Sequence, residues 1–381
     1  MAFWSEIVGQ HEAVATLDRA ASSAGAEQLA HAWLITGPPG SGRYNVALRF
    51  AAALVSRETS DAAREAVYPQ VAAGTHPDVT LVRTNAAEIS VKQMREAVIN
   101  AYYAPVEGAR RVILIEDADR MNAHAANAAL KAIEEPPPGT VWILCAPSEA
   151  DMLPTIRSRT RALRLRTPNV EQVAELLANR DRINPEMARR AATLAQGHIG
   201  MARTLASDPE ALARREQTVT VTLGIQSVAT AMRAAHQLHQ LSAIDAESLV
   251  ERQMLQEREE LRRRLGLDPD EAVPADLRSQ FRALDDDEKR RRSRAKIDAT
   301  DRVLTDLLTC CRDIAIIQTA AGQPLINQQH AAQLADFASR STLKNTLDFA
   351  AALETARDRI SRGVDSEIAL EAALLTLVAA N

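Results

Sequence analysis

The chain has 381 residues, of which 46% are hydrophobic, 25% charged and only 3% aromatic, with a formal net charge of −5. Such a length exceeds what one core organises, so two or three domains are expected, and an apolar content dominated by Ala and Leu favours helix over an all-β fold. The charge gives no global drive toward nucleic acid, the three cysteines offer neither a disulfide framework nor zinc spacing, and no apolar run reaches membrane-span length; a cytoplasmic chain without a membrane partner is expected.

Residues 1 to about 166 read as alternating strands and helices, the pattern of an α/β P-loop domain. The apolar run Ala32–Thr36 leads into Gly37-Pro38-Pro39-Gly40-Ser41-Gly42-Arg43-Tyr44, and Asn45–Ala51 continues as a helix. Strand, glycine loop and helix are the context a phosphate-binding loop requires, with Gly37, Gly40 and Gly42 allowing the backbone to curl. In a working loop a lysine reaches the β- and γ-phosphates and a serine or threonine hydroxyl ligates magnesium. Those two positions hold Arg43 and Tyr44, so the scaffold is present and its hydrolytic chemistry is damaged. Backbone N–H groups at Gly40 and Gly42 survive such changes, which leaves weak ATP binding compatible with the loop.

Val79–Val82 reads as a second buried strand, Val91–Ala101 as a helix, and Arg111–Ile115 as a third strand that runs into Glu116-Asp117. Two acids after an apolar strand suit a magnesium-organising and water-polarising pair, though they serve equally well as helix caps. The usual order, Asp then Glu, is reversed: Glu116 reaches one methylene too far toward a metal and Asp117 falls short of the water. Asn122–Ile133 reads as a helix that must stop at Pro136-Pro137, and Val141–Ala146 as a fourth strand. Arg159 follows in Ile156-Arg157-Ser158-Arg159-Thr160; alone it reads as a surface salt-bridge residue.

Beyond Thr167-Pro168 the pattern is helical. Val170–Ala178, Pro185–Ala195 and Ile199–Ala206 form a three-helix lid over residues 167–208, and an all-α domain fills 209–381, interrupted at Gly266–Pro274 and Gly322–Pro324. An insertion at about 250–298 is dense in charge of both signs and reads first as a solvated helical hairpin, second as a face for DNA or an acidic partner. His76 and His198 lack ligand partners at useful spacing and read as structural, while Cys310 and Cys311 share an apolar helical pattern with Leu304, Leu307 and Ile314.

Several of these segments occur together in one family. Ala126-Asn127-Ala128-Ala129-Leu130-Lys131, Glu134-Glu135-Pro136-Pro137 and Arg157-Ser158-Arg159-Thr160 resemble motifs of the clamp-loader branch of the AAA+ ATPases. In that branch the last motif reads Ser-Arg-Cys; Thr160 replaces the cysteine and Arg159 stays. Ile7-Val8-Gly9-Gln10 resembles the family's box beside the adenine pocket, and Gly74-Thr75-His76-Pro77-Asp78 its Gly-Thr-His-Pro-Asp segment. Gly197–Arg203 stands where its second sensor helix begins, and Asp365–Leu377 resembles its last collar helix. Among its classes the chain is most similar to delta-prime, which is commonly degenerate at the nucleotide site.

The resemblance implies a degenerate nucleotide site formed by Gly37, Gly40, Gly42, Arg43, Tyr44, Glu116, Asp117 and Arg203, together with Arg159 presented as an arginine finger to a neighbouring subunit's ATP. Implied partners are the tau/gamma motor subunits and delta subunit of a DNA polymerase III clamp loader, the sliding clamp, and primed DNA through the assembled complex. Many relatives carry a four-cysteine zinc module before the Gly-Thr-His-Pro-Asp segment; Leu54–Gly74 has no cysteine, so neither zinc nor another required cofactor is expected. Two rival readings are a tau/gamma-like ATPase with an unusual loop and a catalytically passive scaffold. No polymerase site is evident.

Overall fold

The computed structural model describes residues 2–22, 29–84, 88–268, 273–274 and 277–379. Contacts divide the chain into two compact units, Met1–Ser207 and Asp208–Asn381.

In the first unit the apolar runs become strands of one parallel sheet: β1 (Ala32–Thr36), β2 (Val79–Val82), β3 (Arg111–Ile115), β4 (Thr140–Ala146) and β5 (Arg161–Arg164), in the order β2-β3-β4-β1-β5. Parallel strands covered by helices on both faces are apolar throughout, and β1, β3 and β4 are buried at every position. This is the α/β P-loop class expected from the sequence. It brings the C-terminal ends of β1 and β3, carrying the glycine loop and the two acids, to the same edge with β4 between them. The strand absent from the sequence reading is β5. It lies at the sheet edge against β1, buries only Leu163 and exposes both terminal arginines, so it has no apolar run to announce it.

Helices α1 (His11–Ala21), α2 (Arg43–Val55), α3 (Asp61–Ala73), α4 (Val91–Ala101), α5 (Ala123–Glu134) and α6 (Pro154–Arg157) complete the α/β portion. In α2 the buried face includes Ala51, Ala52 and Leu54 as well as a charged residue, Arg49. Arg49 pairs with Glu6 and Glu65 at 3.0 Å each, and its guanidinium stands 4.4 Å from the Tyr68 ring centre and 5.0 Å from that of Phe3. A desolvated cation needs such partners, and they fasten the N-terminal segment and α3 onto α2. Ser60 caps α3 and Gly74 ends it, although Pro69 lies inside. Helix α3 lies in the interval after Leu54, to which the sequence pattern assigned no element; its interior proline and few buried apolar residues obscured it. Three further helices, α7 (Val170–Arg180), α8 (Pro185–Leu194) and α9 (Ile199–Ser207), close around Val173, Leu177, Ala188, Ala192 and Ala202 within the same unit.

The second unit is all helical: α10 (Pro209–Leu223), α11 (Val228–Arg264), α12 (Arg278–Thr319), α13 (Ala331–Arg340), α14 (Leu343–Ser361) and α15 (Ser366–Ala379). Its core joins Leu238, Leu307, Leu334, Leu353, Leu370 and Leu374, with Cys310 and Cys311 buried among them. Burial pushes the Cys310 thiol well up and the Cys311 thiol up to about 12, which suits packing rather than nucleophilic chemistry. A polar cluster ties the chain after α12 back to that helix. Buried Asp313 accepts from the Ile326 and Asn327 N–H groups at 2.9 and 2.7 Å, and Arg215 reaches Asn327 at 2.8 Å and Asp306 at 3.0 Å. The charged halves of α11 and α12 form a hairpin laced by Arg258–Asp285 at 2.7 Å, Arg258–Glu288 at 3.0 Å and Arg291–Glu257 at 2.5 Å. Exposed pairs of this kind contribute about 0–1 kcal/mol each, so the hairpin gains register more than stability from them. No helix among the described residues is long and apolar enough to cross a membrane.

Asp78 anchors the first unit more strongly than any surface pair. Fully buried, it accepts N–H bonds from Val106, Glu107 and Gly108 at 2.7, 2.8 and 2.6 Å, and Arg111 donates to it at 3.1 Å. Burial alone would raise its pKa, yet the three N–H donors and the Arg111 charge outweigh it and hold the carboxyl below its ordinary value. Asp78→Ala should cost about 3–5 kcal/mol in denaturant unfolding of the first unit, because it strands a buried cation and three amides; a cost near zero would contradict this assignment. The native carboxyl titrates below its unfolded counterpart. Its contribution is therefore present above the ordinary value of 3.8 and lost as pH falls through the lowered native pKa.

Candidate functional site

The glycine loop curls after β1 as its composition requires. Gly40 and Gly42 both take φ of 81°, a left-handed conformation that favours glycine, and Gly42 starts α2. Part of the loop's donor set is spent internally. Gly37 N–H reaches the carbonyls of Ala146 and Pro147 at 3.3 and 3.2 Å, and Ser41 N–H that of Pro38 at 3.1 Å. His198, which precedes α9, covers the loop: a β-carbon at residue 40 would lie 2.3 Å from its Cγ. The same imidazole caps α9, its Nδ1 accepting the Met201 N–H at 3.1 Å. Gln10 acts as a strut, pairing both ways with the Arg166 backbone at 2.6 and 3.1 Å.

Arg43 is engaged within the chain. Its Nη2 stands 3.1 Å from Asp117 Oδ1 and its Nη1 donates to the Gly37 carbonyl at 3.2 Å. The second Asp117 oxygen faces Arg120 at 3.0 Å, so each carboxylate oxygen holds one guanidinium. Asp117 itself sits at φ 50°, ψ 56°, opening a short 3-10 turn at Ala118–Arg120. Asp and Asn tolerate that region better than most residues, and the turn aims the carboxylate back at the loop. Glu116 lies beside this cluster; burial and the Asp117 charge raise its pKa, while Arg83, Arg120 and Arg43 oppose the rise. Asp119 is raised likewise, by burial and then by Asp117.

Tyr44 turns into the core under the loop. Burial pushes its phenol up to about 12, within electrostatic reach of Arg83, Glu116 and Cys145, and its hydroxyl has no hydrogen-bond partner among the described residues. Gly37, Arg43 and Asp117 are thus in direct contact, with Tyr44 and Glu116 beside them. Arg203 is engaged elsewhere: it pairs with Asp181 through Nε at 2.9 Å and Nη2 at 3.2 Å. The residues sequence reasoning did not single out are Arg120, three positions after Asp117, and Arg83, just past β2. No sequence motif marks either one.

Arg159 lies just past α6, its N–H bonded to the Ile156 carbonyl at 3.0 Å. Its guanidinium is half-buried at the end of α5, with Nε 2.9 Å from Glu134 Oε2, Nη2 donating to Oε1 at 3.2 Å, and Nη1 donating to the Thr155 carbonyl at 3.0 Å. Among the described residues no cluster of His, Cys, Asp and Glu has the makings of a metal site.

Tyr44 offers a direct check on this geometry. A buried hydroxyl without a partner costs stability, so Tyr44→Phe should leave the first unit as stable as before or raise its stability by about 1 kcal/mol in denaturant melts. A loss of more than about 1 kcal/mol would mean that the hydroxyl has a partner in solution.

Comparison with known proteins converges on one family. Residues 9–169 match the family model described as DNA polymerase III, delta subunit. Over 140 residues the chain is 41% identical to the DNA polymerase III subunit delta' of Pseudomonas aeruginosa, covering 35% of this chain and 43% of the relative. It is 29% identical over 170 residues to the delta' subunit of Bacillus subtilis, covering 44% and 51%. Over 179 residues it is 30% identical to the gamma subunit of Buchnera aphidicola, covering 46% and 48%. The chain thus spans about half the length of the curated relatives it matches. Among solved structures, a DNA polymerase III gamma subunit-related protein of Thermotoga maritima aligns with 96% of this chain and 99% of its own, at 16% identity and a TM-score of 0.42. Through residues 9–169 this chain is similar to the DNA polymerase III delta family, and the relatives it resembles include delta' subunits.

Proposed function

We propose that the chain is a delta-prime-type subunit of a bacterial clamp loader. In this reading it assembles with tau/gamma motor subunits and a delta subunit, in the cytoplasm, to place a sliding clamp on primed DNA. It does not turn over ATP itself. It supplies Arg159 in trans to the ATP of a neighbouring subunit.

The observation that carries this reading is the contrast between the two arginines. Arg43, at the lysine position, is folded back onto Asp117 and the Gly37 carbonyl, so the charge that should meet a phosphate is neutralised within the chain. Arg159 keeps a half-exposed fork on the outside of the α/β portion, away from the chain's own glycine loop in the bonding pattern and suited to a second subunit's phosphates. Gly37, Gly40, Gly42, Tyr44, Glu116 and Arg203 then belong to a site retained for its architecture. Zinc has no place in the proposal, since the interval after Leu54 lacks cysteine and is held by Arg49 and its partners on α3.

The isolated chain should show no magnesium-dependent ATP turnover above background. Hydrolysis at ordinary ATPase rates, abolished by Arg43→Ala, would instead make the chain a motor subunit.

In a complex reconstituted with ATP-hydrolysing partners, Arg159→Ala should leave assembly intact by gel filtration. It should lower DNA- and clamp-stimulated ATPase roughly tenfold or more, since arginine fingers supply about 10³–10⁵ in rate and only some sites in the ring depend on this one. Arg159→Lys should recover little, because a point charge lacks the fork. Full ATPase in a properly assembled Arg159→Ala complex would reduce the chain to a passive scaffold.

A further inference from the structure

We infer that Glu134 is a positioning residue for Arg159, holding one edge of its guanidinium so that the end of the fork is presented to phosphate. This rests on the trans role proposed above for Arg159.

A guanidinium carries five N–H donors in a plane, distributed along its edges. Glu134 faces the edge formed by Nε and Nη2: Nη2 donates to Oε1 at 3.2 Å, and Nε lies 2.9 Å from Oε2 as an ion-pair contact without hydrogen-bond geometry. Nε is shielded from solvent, so no outside group can take that edge while Glu134 is in place. On the far side Nη1 donates to the Thr155 carbonyl at 3.0 Å and lies 3.3 Å from Ser158 Oγ. These two sets of contacts grip the plane from both sides. Nη2, by contrast, meets one acceptor among the described residues, Glu134 Oε1, and has a second N–H at the end of the fork to offer a phosphate oxygen.

The anchors are themselves fixed by the backbone. Glu134 is the last residue of α5, which stops there because Pro136 and Pro137 follow, and Thr155 lies in the single turn of α6. A free arginine side chain would lose rotamer entropy on engaging a ligand. Gripping it beforehand moves that cost to folding, and orientation errors of about 1 Å can lower rates by 10²-fold. The carboxylate remains on the edge facing away from the incoming anion.

The test is ATP hydrolysis by the reconstituted complex carrying Glu134→Ala, Glu134→Gln, Arg159→Ala or the Glu134→Ala/Arg159→Ala pair, each checked for assembly by gel filtration. Glu134→Ala should lower kcat roughly fivefold or more, with KM for ATP unchanged. Glu134→Gln, which keeps an acceptor for Nη2, should retain more activity than the alanine variant. The double variant should be no slower than Arg159→Ala alone. Wild-type kcat in Glu134→Ala beside an impaired Arg159→Ala would overturn the positioning role and leave the trans reading standing. A kcat above wild type would show that the carboxylate restrains the finger, and an equal loss in the Arg159→Ala background would place the effect of Glu134 elsewhere; either overturns the inference. An unimpaired Arg159→Ala complex would remove the reading beneath it.

Discussion

The ion pair between Arg43 and Asp117 organises everything around the glycine loop. In a working site of this architecture a divalent cation and a lysine balance the charges of nucleotide and acids. Here two guanidinium groups, Arg43 and Arg120, take the two oxygens of Asp117 directly. A positive charge delivered by the chain changes the local logic. The acids coexist at the strand end beside these cations, and Glu116 settles into a half-buried position where burial and the Asp117 charge raise its pKa. Tyr44, freed from a hydroxyl's duty, fills space beneath the loop. The curl and its glycines stand with β1, α2 and His198 packed around them.

The main architecture was legible in the sequence wherever burial on both faces demanded continuous apolar runs. Ala32–Thr36 and Arg111–Ile115 stand in the structure with the limits their composition suggested. Elements that the reading missed have different energetics. Strand β5 is defined by backbone pairing with β1, and backbone hydrogen bonds leave no trace in side-chain pattern. Helix α3 depends on Arg49 and Arg64, charged residues stabilised by partners distant in sequence. Hydrophobic periodicity is blind to both.

The site was legible in its parts and illegible in its connections. Glycine spacing announced the loop, and residues 43 and 44 showed that its usual lysine and hydroxyl are replaced. That Arg43 bonds Asp117 could not be read, because the contact crosses 74 positions and depends on the β1-β4-β3 order. The Asp78 segment carried a motif whose purpose is structural: its carboxylate gathers three amides and Arg111 instead of meeting a ligand. Motif resemblance identified the residues, and geometry separated those that hold the fold from those turned outward.

The two arginine–carboxylate pairs differ in the property that decides whether a pair locks or guides. Arg43 and Asp117 have side chains 17% and 26% exposed, whereas those of Arg159 and Glu134 are 33% and 52% exposed. Separating a poorly solvated pair leaves two charges that water cannot reach well, a cost of several kcal/mol in the fully buried limit. A well-solvated pair is worth about 0–1 kcal/mol and exchanges freely. The inner pair is therefore the less easily separated of the two. The outer one is too weak to imprison its arginine, yet strong enough, with the Thr155 carbonyl, to bias its orientation. One chain thus contains the same chemical contact twice, and the two copies differ in how far solvent reaches them.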